Sequence, residues 1–156
     1  MRRKEREVTD INKIEEIVQK CGVCRIGLID EGMPYIVPMN FGYMRDGEKL
    51  TFYFHCAKEG KKLELMRENP NAAIEMDCSH ELISAGDNAC GYSYRYASIM
   101  GKGVISIEDD SKKAYALNRI MEHMTGRGDF TFTEGEMNKI LVLKLEVIAL
   151  SAKARE

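Results

Sequence analysis

The run KILVLKLEVIALSAK (Lys139–Lys153) constrains this chain most. Ile140, Val142 and Lys144 alternate against Leu141, Leu143 and Leu145. A two-residue period belongs to a strand and to no helix. A second long run, YRYASIMGKGVISIE (Tyr94–Glu108), also reads as a strand. Gly101 and Gly103 interrupt it, which predicts a bend or a bulge. Long strands of this kind need partners on both edges.

The rest of the chain supplies them. VCRIGLI (Val23–Ile29) reads as a strand, DEGMP (Asp30–Pro34) as a turn and YIVPMNFGYM (Tyr35–Met44) as a second strand. Pro38 lacks a ladder donor, so it marks an edge, a bulge or a departure from regular pairing. Asp46-Gly47 is a hairpin signal leading into KLTFYFH (Lys49–His55), with Leu50, Phe52 and Phe54 on one face. AAIEMDC (Ala72–Cys78) is a further strand, and residues 79–92 read as a polar, glycine-containing loop.

Helices fall between the strands. Ile11, Ile14, Ile17, Val18 and Cys21 lie at helical spacing from about Asp10 to Lys20, with Thr9 or Asp10 as cap and Gly22 as stop. A short helix is predicted over about Glu59–Glu68, ended by Asn69-Pro70, and a longer one over Asp109–Met124. TGRGDFTFTEGE reads as a long loop. Six or so hairpin-linked strands with two or three helices favour a closed or half-closed barrel over an open parallel sheet.

At 156 residues the expectation is one domain, 1–156. The net charge of −2, with acids and bases interleaved, argues against a nucleic-acid partner. No apolar run reaches the ~20 residues of a membrane span. MRRKEREVTD has no apolar core or cleavage site, so no secretory signal is expected. Five scattered cysteines then read as reduced thiols in a cytoplasmic protein. CGVC (Cys21–Cys24) joins a helix end to a strand, and no second C-x-x-C completes a zinc site. Buried thiols are the expectation there. His80 with Cys78 and Cys90 matches no regular metal spacing, so no metal is expected. His123, late in a helix, suits a C-terminal dipole and is assigned no site role.

The chemistry concentrates in FYFHCAKEGKK (Phe52–Lys62). Lys58, Lys61 and Lys62 surround Gly60 at a predicted helix start, where the dipole disfavours cations and favours an anion. A phosphate balances them, and Gly60 lets it approach the backbone. The Pro38-containing strand VPMNFGY (Val37–Tyr43) offers a free edge to a flat heteroaromatic ring. A ring edge beside a phosphate cluster suits a nucleotide-like cofactor, and FMN has that shape.

These segments, with DCSHEL (77–82), CGYSYRYASIMGKG (90–103) and TGRGDFTF (125–132), carry a resemblance over nearly the whole chain, from about Met1 to Ala152. The sequence resembles the pyridoxamine 5′-phosphate oxidase-like FMN-binding split barrels. Within them it is most similar to the nitroimidazole-resistance (nitroimidazole reductase)-related subgroup. The resemblance implies a mainly β, α+β fold: a six-stranded antiparallel split barrel with flanking helices. It places the flavin ring against Val37, Pro38, Met39, Asn40 and Phe41. His55, Cys56 and Ala57 close over the ring and ribityl chain, while Lys61 and Lys62, beside Lys58, take the phosphate. Ser98, Ile99, Met100 and Gly101 match the segment that a partner subunit lends, so a homodimer with two FMN sites is implied. The implied activity is oxidoreduction between a small electron donor and a small acceptor such as a nitro group, with His55 as the residue that positions or protonates the acceptor. A flavin, deazaflavin or haem carrier without turnover is the alternative. The oxidase proper has Arg at the position of Lys61 and further Arg and Trp residues near its C-terminus. This chain has no Trp and ends at Glu156, which argues against pyridoxal phosphate synthesis.

Overall fold

Alternation along the apolar runs produces eight strands in a computed structural model that describes residues 3–155. Met1, Arg2 and Glu156, the ends of the expected 1–156 domain, lie outside the described residues. The strands are β1 (Glu7–Val8), β2 (Cys24–Asp30), β3 (Met33–Met39), β4 (Gly42–Asp46), β5 (Lys49–Ala57), β6 (Asn71–Ile83), β7 (Ser93–Ile107) and β8 (Ile140–Arg155). The helices are α1 (Ile11–Lys20), α2 (Lys61–Glu68), α3 (Lys113–Thr125) and the single turn α4 (Glu134–Met137). Among the described residues no helix is long and apolar enough to cross a membrane.

The sheet runs β3-β2-β6-β7-β8-β5-β4, with β1 added to β8, and the pairings are antiparallel. β3 and β4 end the path without pairing to each other, so the barrel is split rather than closed. The mainly β, split-barrel expectation holds, with eight strands in place of six. β8 is the hub. Its first half pairs with β5, and Leu143 to Arg155 pair with β7.

Gly103 makes the bend in β7 possible. The register with β8 shifts between Lys102 and Gly103, and Ile148 is left without a partner. A Cβ on Gly103 would overlap the Glu146 carbonyl oxygen, so this close approach requires glycine.

One core fills the barrel. Phe41, Phe52, Phe54, Ile99, Leu143 and Leu145 are buried in it. α1 covers it with Ile14, Ile17 and Val18. Burying such side chains is worth about 1.5–3 kcal/mol each, more than the few tenths by which Ile and Val disfavour a helix. Packing therefore decides α1, and the Asp10 side chain caps it by accepting from Asn12 N–H at 2.9 Å. A smaller cluster lies outside the barrel wall, where Ala116, Leu117 and Ile120 of α3 cover Tyr53 and Val142.

Several boundaries differ from expectation. The strand predicted over Tyr35–Met44 is two strands, broken at Asn40-Phe41, where the Phe41 ring turns into the core. Residues 79–83 are strand rather than loop: β6 resumes pairing with β7 at Glu81↔Arg95 after an irregularity at Ser79, whose φ is 59°. The loop read over residues 125–136 contains the start of α4, held by a reciprocal Thr133–Glu136 capping box. α1 ends on extended Cys21 and not on a left-handed Gly22.

Candidate functional site

The β5–α2 junction carries the lysine cluster as expected. Strand β5 ends at Ala57, Gly60 precedes α2 with φ 130°, and α2 opens on Lys61 and Lys62. No side chain caps this helix start. Its free N–H groups face the same region as the lysines. Leu63, Leu65 and Met66 bury the opposite side of α2, which packs against β2.

One anion is already present. Lys61 forms an ion pair with Asp30, the last residue of β2, and its Nζ lies 6.0 Å from the centroid of the Tyr35 ring. The hydrogen bond to Asp30 raises the Lys61 pKa above its ordinary value. Asp30 had read only as a turn residue, because nothing in its neighbourhood in the sequence points to Lys61, far along the chain. Among the described residues no carboxylate pairs with Lys58 or Lys62. The positive charge that needs an external anion is therefore theirs.

Of the alternatives that Pro38 left open, β3 is an edge strand: among the described residues it pairs with β2 alone. Its hairpin with β2 lies beside the start of α2 through the Lys61 contacts, so edge and lysines are neighbours. Pro38 faces outward, and Val37 and Met39 pack partly against the core. Asn40 donates from Nδ2 to the Gly22 carbonyl at 3.1 Å. Phe41 is fully buried, backbone included, 5.6 Å from the Phe52 ring centroid, so the ring contact expected at Phe41 is closed off in this chain. Cys56 and Ile99 are likewise buried side chains. Burial raises the Cys56 thiol pKa, and Lys62 lowers it in part. His55, Ala57 and Lys58 are exposed.

The fourth segment is elsewhere in the chain. His55 pairs with Val142 near the start of β8, whereas Met100 pairs with Ser151 near its end. These positions on β8 are nine residues apart, or about 30 Å along a strand. Ser98, Ile99, Met100 and Gly101 thus do not join His55 and the lysines within one chain.

The outer face around Met100 carries an apolar row beside a charged one, in which Arg25 and Glu75 lie in line with Met100 and Arg25 pairs with Glu75 and Asp77. Gly27, Ala73, Lys102 and Ala149 form one cross-strand row, continued by Ile36 at the β3 edge. Ile29, Pro34 and Ile148 border an open trough of ≈ 670 Å³ on this face. Ile36, Met100 and Ile148 are 63%, 62% and 69% exposed, unusual for large apolar side chains grouped together.

A family model described as pyridoxamine 5′-phosphate oxidase matches residues 10–154. The chain belongs to this family. Among solved structures it is similar to a candidate 5-nitroimidazole antibiotic resistance protein from Bacteroides thetaiotaomicron. The two are 34% identical, covering 96% of this chain and 90% of that one, with a TM-score of 0.81. The fold also matches a FAD and haem binding protein from Mycobacterium smegmatis, at 20% identity and TM-score 0.82, covering 97% of this chain and 74% of that one. A flavocytochrome from Azotobacter vinelandii matches at 19% identity and TM-score 0.81, covering all of this chain and 72% of that one. A comparison with curated proteins gave no match.

Proposed function

We propose that this oxidase-family chain is an FMN-dependent oxidoreductase, acting as a homodimer on a small acceptor such as a nitroaromatic. The carrying observation is the uncompensated pair Lys58 and Lys62 beside the edge strand β3 and the uncapped start of α2. A phosphate group satisfies both lysines and the free helix N–H groups together. The relatives support the reading: flavin is named for the mycobacterial protein, and nitroimidazole resistance for the Bacteroides one.

The residues present fit FMN. Lys58 and Lys62, with Lys61 once it leaves Asp30, hold the phosphate. The β3 edge at Val37–Asn40 receives the ring. A second copy supplies Ser98–Gly101, because one chain keeps that segment about 30 Å along β8 from His55. When bound, the flavin supplies transfer of a hydride or of single electrons. Lysine charge near the cofactor stabilises negative charge that develops on it. Exposed His55, at the end of a rigid strand, orients the acceptor and donates a proton to it.

The test is a visible spectrum of the purified protein with and without added FMN, followed by anaerobic reduction with a nicotinamide donor and reoxidation by a nitroimidazole. A flavin band, bleaching by donor and recovery with acceptor is the expected sequence. A bound flavin that no donor reduces leaves a carrier, and a spectrum with a haem or deazaflavin band replaces FMN by that group. Failure to retain any of these removes the proposal. His55→Ala is expected to slow acceptor reduction with flavin still bound, and an unchanged rate removes the role of His55.

A further inference from the structure

β6 is strained where the core ends. Ser79 has φ 59°, a left-handed backbone that serine rarely adopts. Three steps along β6, from Cys78 to Glu81, match two along β7, from Ala97 to Arg95. Ser79 and His80 therefore share the place opposite Tyr96, and β6 carries one residue more than its neighbour. In a regular strand His80 would fall on the inward side with Cys78. The extra residue turns it to the outer face, as bulges do where a side chain is re-aimed near a site.

A carboxylate and an arginine fix His80 there. Its Nε2–H donates to Asp77 Oδ2 at 2.6 Å, and Asp77 Oδ1 accepts from Arg25 Nη1 at 2.7 Å. Arg25 also donates to Glu75 at 2.9 Å. Both Asp77 oxygens are thus engaged. Tyr94 flanks the imidazole, with ring centroids 6.1 Å apart. His80 Nδ1 has no partner among the described residues, and the side chain is 44% exposed. An imidazole held by a carboxylate, with its second nitrogen free, is suited to holding and moving a proton.

Its place on the sheet decides what it meets. Asp77 lies directly opposite Ser98, which puts their Cβ atoms about 4.5–5.5 Å apart on one face. Ser98 opens the segment that a second copy supplies to the flavin in the function proposed above, and the inference rests on that reading. The geometry points to His80 as part of the flavin site of the other chain: lent across the interface together with Ser98 and held by Asp77, it offers Nδ1 to the ring. Reduction leaves negative charge on that ring. The charge draws a proton from water onto Nδ1, Asp77 balances the imidazolium, and the reduced form is stabilised.

The test is the reduction equilibrium of the flavin-loaded dimer against a redox dye at neutral pH. His80→Gln, a change at an exposed position, is expected to keep flavin bound and to make its reduction about ten-fold less favourable. Mixed dimers show which chain supplies the residue. In one, a chain carrying both Lys62→Glu and His80→Gln is paired with an unaltered chain. Its single flavin rests on the unaltered chain's lysines and should show the His80→Gln equilibrium. In the other, a Lys62→Glu chain is paired with a His80→Gln chain, and its single flavin should match the parent. An unchanged equilibrium in His80→Gln, or an effect that follows the chain whose lysines hold the flavin, overturns the inference. Flavin held by the parent with no response to His80→Gln removes this inference alone, whereas a parent that holds no flavin removes the oxidoreductase proposal and this inference with it.

Discussion

At the Lys61 ammonium two anions compete. Asp30 holds it in the free chain, and a cofactor phosphate must displace or share that contact. The pair is largely solvent-exposed, so it adds little to stability, but a carboxylate close to an incoming phosphate opposes it. Asp30→Asn is therefore expected to tighten FMN binding by a few-fold, and the gain should shrink with added salt. Lys62→Glu should abolish binding with the fold intact. Flavin fluorescence titrations at two salt concentrations measure both, and weaker binding by Asp30→Asn would show that Asp30 positions Lys61 instead. The lysines were legible in the sequence because three cations crowd one helix start. Asp30 was not, since its role exists only across space. The thiols were legible as well. Cys24 is fully buried and pushed up to about 12, by burial first, then by Glu75, with Arg25 opposing. Burial and nearby Cys78 also raise Cys21. An unfolded thiol ionises near 9, so above that pH the folded state holds protons that the unfolded state has lost. Stability contributed by these thiols is complete below pH ~9 and is lost as pH rises toward ~12. Urea midpoints between pH 8 and 11 should fall less steeply in Cys24→Ala than in the parent, and parallel curves would refute that origin.

Elements meet through glycine where backbones touch. Gly42, the first residue of β4, lies against the backbone of α3, and a Cβ there would overlap Arg119 and Ile120 main-chain atoms. Backbone cannot rotate away as a side chain can. Gly42→Ala should thus shift α3 and cost about 1–3 kcal/mol or more, seen as a lower urea midpoint and faster exchange of α3 amides. Stability within error of the parent would mean that α3 docks loosely. The same contrast explains which elements could be read from the sequence. Leu50, Phe52 and Phe54 alternate because one face of β5 is core, and α1 shows its stripe for the same reason. Residues 79–83 run beyond the core, with Ser79, His80, Glu81 and Leu82 exposed, so no burial imposes a period on them. α4 is one turn and cannot show a period either, though Thr133 and Glu136 three residues apart are a readable capping box. The two-residue strand β1 exists only through its pairing of Glu7 and Val8 with Lys153 and Ala152.

The whole molecule, taken as one chain, leaves its candidate site divided between the two ends of β8, and leaves open to water a sheet face whose apolar row borders the Arg25–Glu75–Asp77 ion pairs. The proposed homodimer would resolve both features, with a second copy laid face to face. Small residues Gly27, Ala73 and Ala149 let two sheets approach closely, and Ile36, Met100 and Ile148 supply apolar area at the rim. A stable interface needs roughly 1,000 Å² or more of buried surface, and a face spanning five strands can provide it. Such a dimer is expected to sediment as twice the chain mass and to bind two flavins. Met100→Glu would place facing carboxylates in a desolvated interface, which costs far more than a single exposed charge. It should yield a folded monomer that has also lost FMN, because each site needs the other chain's Ser98–Gly101. Tyr115→Glu, an exposed change on α3 away from this face, should leave both mass and flavin content unchanged. A parent protein that sediments as a monomer yet holds flavin would show that one chain builds the site alone. Loss of the dimer with flavin retained in Met100→Glu would separate the interface from the cofactor and would leave β7 without a part in binding it.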